Sequence, residues 1–140
     1  MNHAKGYHIF SEAASKFKKF DPSWNFIAIG NETRKEIYPD KNIIKEIGYK
    51  KNSDVLKYYS KSEIAIGNSV WNEPLGRIAI EASSRKCLPI ISNKGGLAES
   101  KNIALVLKKN TSSELVSILK KITKNKVLRR KKQNDFYNNN

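Results

Sequence analysis

The sequence predicts an α/β fold, a parallel sheet flanked by helices. Short apolar runs recur along it, and two of them, 24–30 (W-N-F-I-A-I-G) and 63–67 (E-I-A-I-G), stop at glycine. Between the runs lie segments with apolar residues at three- and four-residue spacing. This alternation is the pattern of strands buried on both faces and joined by crossover helices. The length, 140 residues, suits one domain around a single core.

The first helix is expected over 8–20, where Phe10, Ala13, Ala14 and Phe17 share a face and Asp21-Pro22-Ser23 breaks the pattern. A strand follows at 24–30. Residues 31–40 are polar and are expected to hold a short helical turn before Pro39. A weaker strand is expected at 43–48, and Asn52-Ser53-Asp54 opens a helix. After the strand at 63–67 comes a helix over 74–86, with Pro74 in its first turn, where a missing N–H is no loss. The next strand is 87–92, and Pro89 restricts pairing near its start. A turn at 93–96 and a strand at 103–107 lead to Thr111-Ser112-Ser113-Glu114, a capping signal for a helix to Lys124. Residues 125–140 read as a basic C-terminal helix whose asparagine tail frays.

The formal net charge is +14, which suggests an anionic partner. The abundance of lysine, asparagine and isoleucine also fits an AT-rich genome, and composition leaves both readings open. Lys120, Lys121, Lys124, Lys126, Arg129, Arg130, Lys131 and Lys132 have no acidic residue among them and stand beside Leu119, Ile122, Val127 and Leu128. Such a segment suits an anionic membrane surface or a solvated helix face. No apolar run approaches the roughly 18–20 residues of a membrane span, and the first residues lack the apolar core of a secretory signal. The expected location is the cytoplasm, with peripheral contact to the inner face of the membrane as an open option. Cys87 is the single cysteine, so no intrachain disulfide forms; it reads as a small core residue.

In a parallel α/β sheet, ligands bind beyond the carboxyl ends of the strands. The loops after Gly30, Gly48, Gly67 and Ser92 are therefore the places to inspect. The loop after Gly67 is the richest, with Asn68, Ser69, Trp71, Asn72 and Glu73 before Pro74-Leu75-Gly76. A helix entrance offers free N–H groups and the positive end of the macrodipole, which suits phosphate. Gly76 would let a ligand approach the backbone. Glu73 and Glu81 could accept hydrogen bonds from hydroxyls at the two ends of an extended diphosphate ligand. On spacing alone, Glu73 is equally a first-turn carboxylate, and Arg77 with Glu81 an ordinary i,i+4 pair.

The stretch N-S-V-W-N-E-P-L-G-R-I-A-I-E-A, 68–82, resembles the signature of the retaining GT-B glycosyltransferases of group 1, family four, in which two glutamates seven residues apart sit in the context P-S-x-x-E-x-x-G-x-x-x-x-E-A. Glu73, Gly76, Glu81 and Ala82 match it, and Asn68 replaces the proline. Residues 86–99 resemble the downstream pattern G-x-P-V-I-x-S-x-x-G-G-x-x-E, with Lys86 at its first glycine. Residues 52–59 resemble the helix before the family's third strand, and the similarity runs from about Lys5 to Lys124.

The resemblance implies a Rossmann-like domain that binds a nucleotide diphosphate sugar for hexosyl transfer to a glycan or lipid-linked acceptor, as in polysaccharide biosynthesis. It implies that Glu73 contacts the donor sugar and is the catalytic carboxylate. Backbone N–H groups of Gly76, Arg77 and Ile78 would meet the diphosphate, Glu81 would hold the ribose, and Lys5 of the Lys5-Gly6 pair would bind the diphosphate. No metal or other cofactor is expected. The family's arginine-bearing first strand (V-G-R) and its N-terminal acceptor domain have no counterpart in these residues, so the chain is expected to act with an acceptor domain or partner chain and to be nearly inactive alone. A non-catalytic nucleotide-sugar-binding or regulatory module is the main rival. A nucleic-acid-binding protein is disfavoured: the charge fits, but no aromatic platform or recognition helix is visible.

Overall fold

The computed structural model describes residues 3–30 and 42–140. The turn expected within 31–40 lies outside them. A short 3-10 turn, His3–Lys5, leads into α1 (Tyr7–Phe20), then β1 (Phe26–Ala28), β2 (Ile44–Glu46), α2 (Asn52–Ser60), β3 (Ile64–Gly67) and α3 (Arg77–Ser83). There follow β4 (Leu88–Ser92), a 3-10 segment Gly95–Ser100, β5 (Leu105–Leu107), α4 (Ser112–Lys124) and α5 (Lys126–Asn138).

All strand pairs are parallel, as expected, but among the described residues they form two groups rather than one sheet. β1 pairs with β2, and β3-β4-β5 form a second unit. In β4 every residue from Leu88 to Ser92 is buried, the mark of a strand covered on both faces. α1 covers one face of β1 through aromatic packing. Phe17 and Phe10 each lie 6.0 Å from Phe26, edge-on. α1 also packs along α4, and Ala13, Ala14 and Leu115 are fully buried in the shared core. Small residues serve the same purpose in α3, where Ala79 and Ala82 are fully buried and let the helix sit close to the strands.

Four expectations need correction. The helix over 74–86 begins only at Arg77, so Pro74 precedes it. The backbone there is used otherwise, because the carbonyl of Glu73 accepts from the Gly96 N–H at 2.6 Å. The strand expected at 24–30 is confined to Phe26–Ala28, and the last strand starts at Leu105 rather than residue 103. The C-terminal tail is not free. α5 runs through Asn138, and the Asn140 side-chain amide donates to the Ile80 carbonyl at 2.9 Å. The capping signal is realised: Thr111 Oγ1 accepts from the Glu114 N–H at 3.2 Å.

Candidate functional site

The Glu73 loop leaves the carboxyl end of β3, as the glycine stop at Gly67 suggested, and is held from three directions. From β4, Ser92 Oγ donates to the Ser69 carbonyl at 2.7 Å. From the turn before α4, Asn110 Nδ2 donates to the carbonyls of Asn68 and Ser69, both at 3.0 Å. From the amino-terminal turn, the Ala4 carbonyl accepts the Val70 N–H at 2.8 Å, and Asn68 Nδ2 donates to the Gly6 carbonyl at 2.9 Å. Gly6 is left-handed, and a Cβ there would stand 2.0 Å from the Asn68 carbonyl oxygen, so only glycine lets the two segments meet.

This clamping brings Lys5 and Glu73 together across 68 positions of sequence. Lys5 Nζ donates to Glu73 Oε1 at 2.8 Å, and Ser69 Oγ donates to the same oxygen at 2.5 Å. The Glu73 side chain is mostly buried and that of Lys5 about half exposed. Lys5 also sits 5.4 Å from the Trp71 ring centroid. An ion pair this exposed contributes only about 0–1 kcal/mol, so Lys5 can exchange Glu73 for a ligand anion at small cost.

At the start of α3, Arg77 donates to Glu81 Oε1, one turn on, from Nε at 3.1 Å and Nη2 at 2.8 Å. The i,i+4 pair therefore forms. At both glutamates the protein's own donors gather on Oε1. Burial raises the Tyr59 hydroxyl well above its ordinary value, and the nearby Glu81 charge raises it further, so it stays protonated. Burial likewise pushes the Cys87 thiol up to about 12, helped by the charge of Glu63. Cys87 is a core residue and no nucleophile at neutral pH.

Gly76 stands against the Gly95-Gly96 turn. A Cβ there would meet the Gly96 carbonyl oxygen at 2.6 Å and the Leu97 Cα at 2.7 Å. The Gly95-Gly96 turn presses backbone to backbone against residues 72–76. Ile78 is also partly committed, since its Cγ2 would lie 2.6 Å from a Cβ placed on Gly67. Its side chain packs over the end of β3.

The basic C-terminal segment divides. Arg129 is buried, pairs with Glu63 at 3.1 Å, and donates to the Ile122 and Thr123 carbonyls. It is a structural cation and not one available to a membrane. Lys120 and Lys124 lie 4.7 and 4.8 Å from the Phe20 ring centroid, while Lys126, Arg130 and Lys131 are exposed. Among the described residues no helix is long and apolar enough to cross a membrane.

Asn110 and the Ala4 carbonyl, which help fix the Glu73 loop, carry no local motif, while Ser92 stands at the serine of the downstream pattern over 86–99. Asn110 has one weak sequence signal, a lone asparagine before a capping threonine, and it adopts a positive φ of 52°.

A domain of short parallel strands flanked by helices, with its richest loop beyond the strand ends, is of the Rossmann-like class. The match to a family is equally broad: residues 1–140 fit the glycosyl transferases group 1. The chain belongs to that family. The C-terminal domain of a group 1 glycosyl transferase (LpcC) from Francisella tularensis superposes with a TM-score of 0.87 at 23% identity, over 99% of this chain and 78% of that one. HepE of Anabaena, solved with UDP, superposes with a TM-score of 0.82 at 18% identity, over 97% of this chain and 40% of that one. A glycosyltransferase from Rickettsia africae gives 0.76 at 24% identity, over 99% and 41%. The chain thus spans about two fifths of the length of the latter two. No curated protein sequence matches it.

Proposed function

We propose that this chain is the donor-binding half of a retaining glycosyltransferase, taking a hexose from a nucleotide diphosphate sugar to a glycan or lipid-linked acceptor. The observation that carries the reading is the Lys5–Glu73 pair, assembled at the mouth of the loop after β3 and followed two turns on by Glu81. Lys5 turns from Glu73 to the diphosphate, where its charge offsets the negative charge that grows on the leaving nucleotide. Glu73 keeps Ser69 on one oxygen and offers the other to sugar hydroxyls. Glu81, with Arg77 on Oε1, offers Oε2 to the ribose. The main-chain N–H groups of Gly76, Arg77 and Ile78 lie at the entrance of α3 for the diphosphate, and no metal is required.

Calorimetry with UDP-, GDP- and ADP-sugars tests the reading. We expect weak binding by the chain alone, unchanged by EDTA, and little turnover until an acceptor domain is supplied. Glu81→Ala should weaken the preferred donor about 10–100-fold, the equivalent of one hydrogen bond to a charged group. Equal affinity in wild type and variant would sink the assignment. Nucleotide binding without transfer, even with an acceptor domain present, would favour a non-catalytic module.

A further inference from the structure

The cations at the junction of α4 and α5 differ from those elsewhere in their partners. Lys5, Lys16, Lys57, Arg77 and Arg129 each hold a carboxylate. Lys120, Lys121, Lys124, Lys126, Arg130 and Lys131 are exposed, and among the described residues none of them has an acidic partner. The uncompensated charge therefore gathers on one stretch of surface.

Apolar side chains stand among these charges. Phe20, at the end of α1, is 37% exposed, and Lys120 and Lys124 bring their ammonium groups to 4.7 and 4.8 Å from its ring centroid. The two cations converge on one ring although they repel each other, so attraction for an anion is left over there. On α5, Arg129 and Phe136 take the inward face. Val127 faces out and is 80% exposed, beside Arg130 and Lys131 at three and four positions along the helix. The two groups join through the chain from Lys124 to Val127, which spans at most about 10 Å. A solvated helix face has no use for an apolar side chain amid its charges, and a nucleic-acid backbone offers an aliphatic one nothing to pack on. An anionic bilayer matches both parts, with phosphate headgroups for the ammonium groups and the acyl boundary for Phe20 and Val127. Lysine stems suit such a depth, since they lie along apolar surface while the charge stays in water.

We infer that the end of α1, the last turns of α4 and the first turns of α5 form one docking face for an anionic lipid bilayer. α1, with 14 residues, runs from the amino-terminal turn that holds the Glu73 loop to this face. Its length sets the two about 20 Å apart. Docked in this way, the domain keeps the Glu73 loop clear of the headgroups and open to a water-borne ligand. The inference rests on this face alone and not on the donor reading, so vesicle binding and nucleotide binding can fail separately.

Sedimentation of the full chain with vesicles tests it. Vesicles of equal parts phosphatidylglycerol and phosphatidylcholine should carry the chain down, and vesicles of phosphatidylcholine alone should not. A cation at an anionic surface is worth about a fivefold gain in affinity, so Lys124→Gln combined with Arg130→Gln should weaken binding roughly tenfold or more. Lys16→Gln combined with Lys57→Gln removes the same charge from paired lysines and should change it less than about twofold. Val127→Ser should weaken binding at least about threefold through lost apolar burial. All these positions are exposed, so the fold survives each change. Equal weakening by the two double variants would mean attraction to net charge alone and overturn the inference. So would vesicle binding that Val127→Ser leaves intact, because the face would then read charge only, as a nucleic-acid surface does.

Discussion

The two sheet groups are built to different standards. β3-β4-β5 has a central strand with no exposed residue, Ile90 and Ile91 fully buried, and helices on both sides. β1-β2 is half-finished by comparison. Phe26 and Ala28 are buried under α1, but Ile27 between them is 40% exposed, and in β2 only Ile44 is buried. The parts of the site sort in the same way. Glu73, Ser69, Ser92 and Asn110 all hang from the well-covered group. The difference teaches that the Glu73 loop rests on the more deeply buried half, while the other half supplies α1 and its aromatic cover.

The strongest way to break this comparison is a matched pair of truncations. Ile90→Ala should cost about 2–5 kcal/mol, since it opens a closed cavity in the core. Ile27→Ala should cost less than about 1 kcal/mol, because a half-exposed side chain leaves no closed void. Urea denaturation of both variants decides it, and equal losses would refute the claim that the halves differ. A smaller effect sharpens the link to the site. Asn110→Ala removes two hydrogen bonds to the loop and places a Cβ residue without a polar head at positive φ, which should cost about 1–3 kcal/mol. Asn110→Gly should recover roughly 1 kcal/mol of that, read as a higher thermal midpoint.

The smallest effect concerns the tie between α5 and the start of β3. Burial alone would raise the Glu63 carboxyl, but hydrogen bonds from Arg129 and Gln133 and the charges of Arg129 and Arg130 outweigh it and hold the group below its usual value of 4.5. A lowered carboxyl contributes stability above its unfolded value and loses it as pH falls through the folded one. The midpoint gap between wild type and Glu63→Gln should therefore be present at neutral pH and close below about pH 4.5. A gap independent of pH would show that the pair acts through packing alone.

Element order was legible in the sequence because it depends on local period: the 3–4 spacing through Phe10, Ala13, Ala14 and Phe17 and the apolar runs before Gly67 and Ser92 need no distant partner to be read. The start of α3 was misplaced because Pro74 suits a first helical turn locally, whereas the actual choice is made by Gly96, more than twenty positions away. The division of the strands into two groups is invisible to periodicity, which marks a buried strand but not its neighbours. Among the site residues, Glu73 and Glu81 stood out through a shared motif. Ser92 stood in the downstream motif without a role and Asn110 in none, because a single hydroxyl and a single amide acquire meaning only when the fold brings them to the carbonyls of residues 68 and 69.

The glycine seam at 76, 95 and 96 has a consequence for how this protein tolerates change. Two main-chain segments meet there with no side chain between them, and each added Cβ would come within 2.7 Å of main-chain atoms. A saturation scan would find a sharply intolerant seam beside a permissive surface at Leu75 and Lys94. That intolerance would be blind to residue chemistry, since alanine would fail there as surely as aspartate.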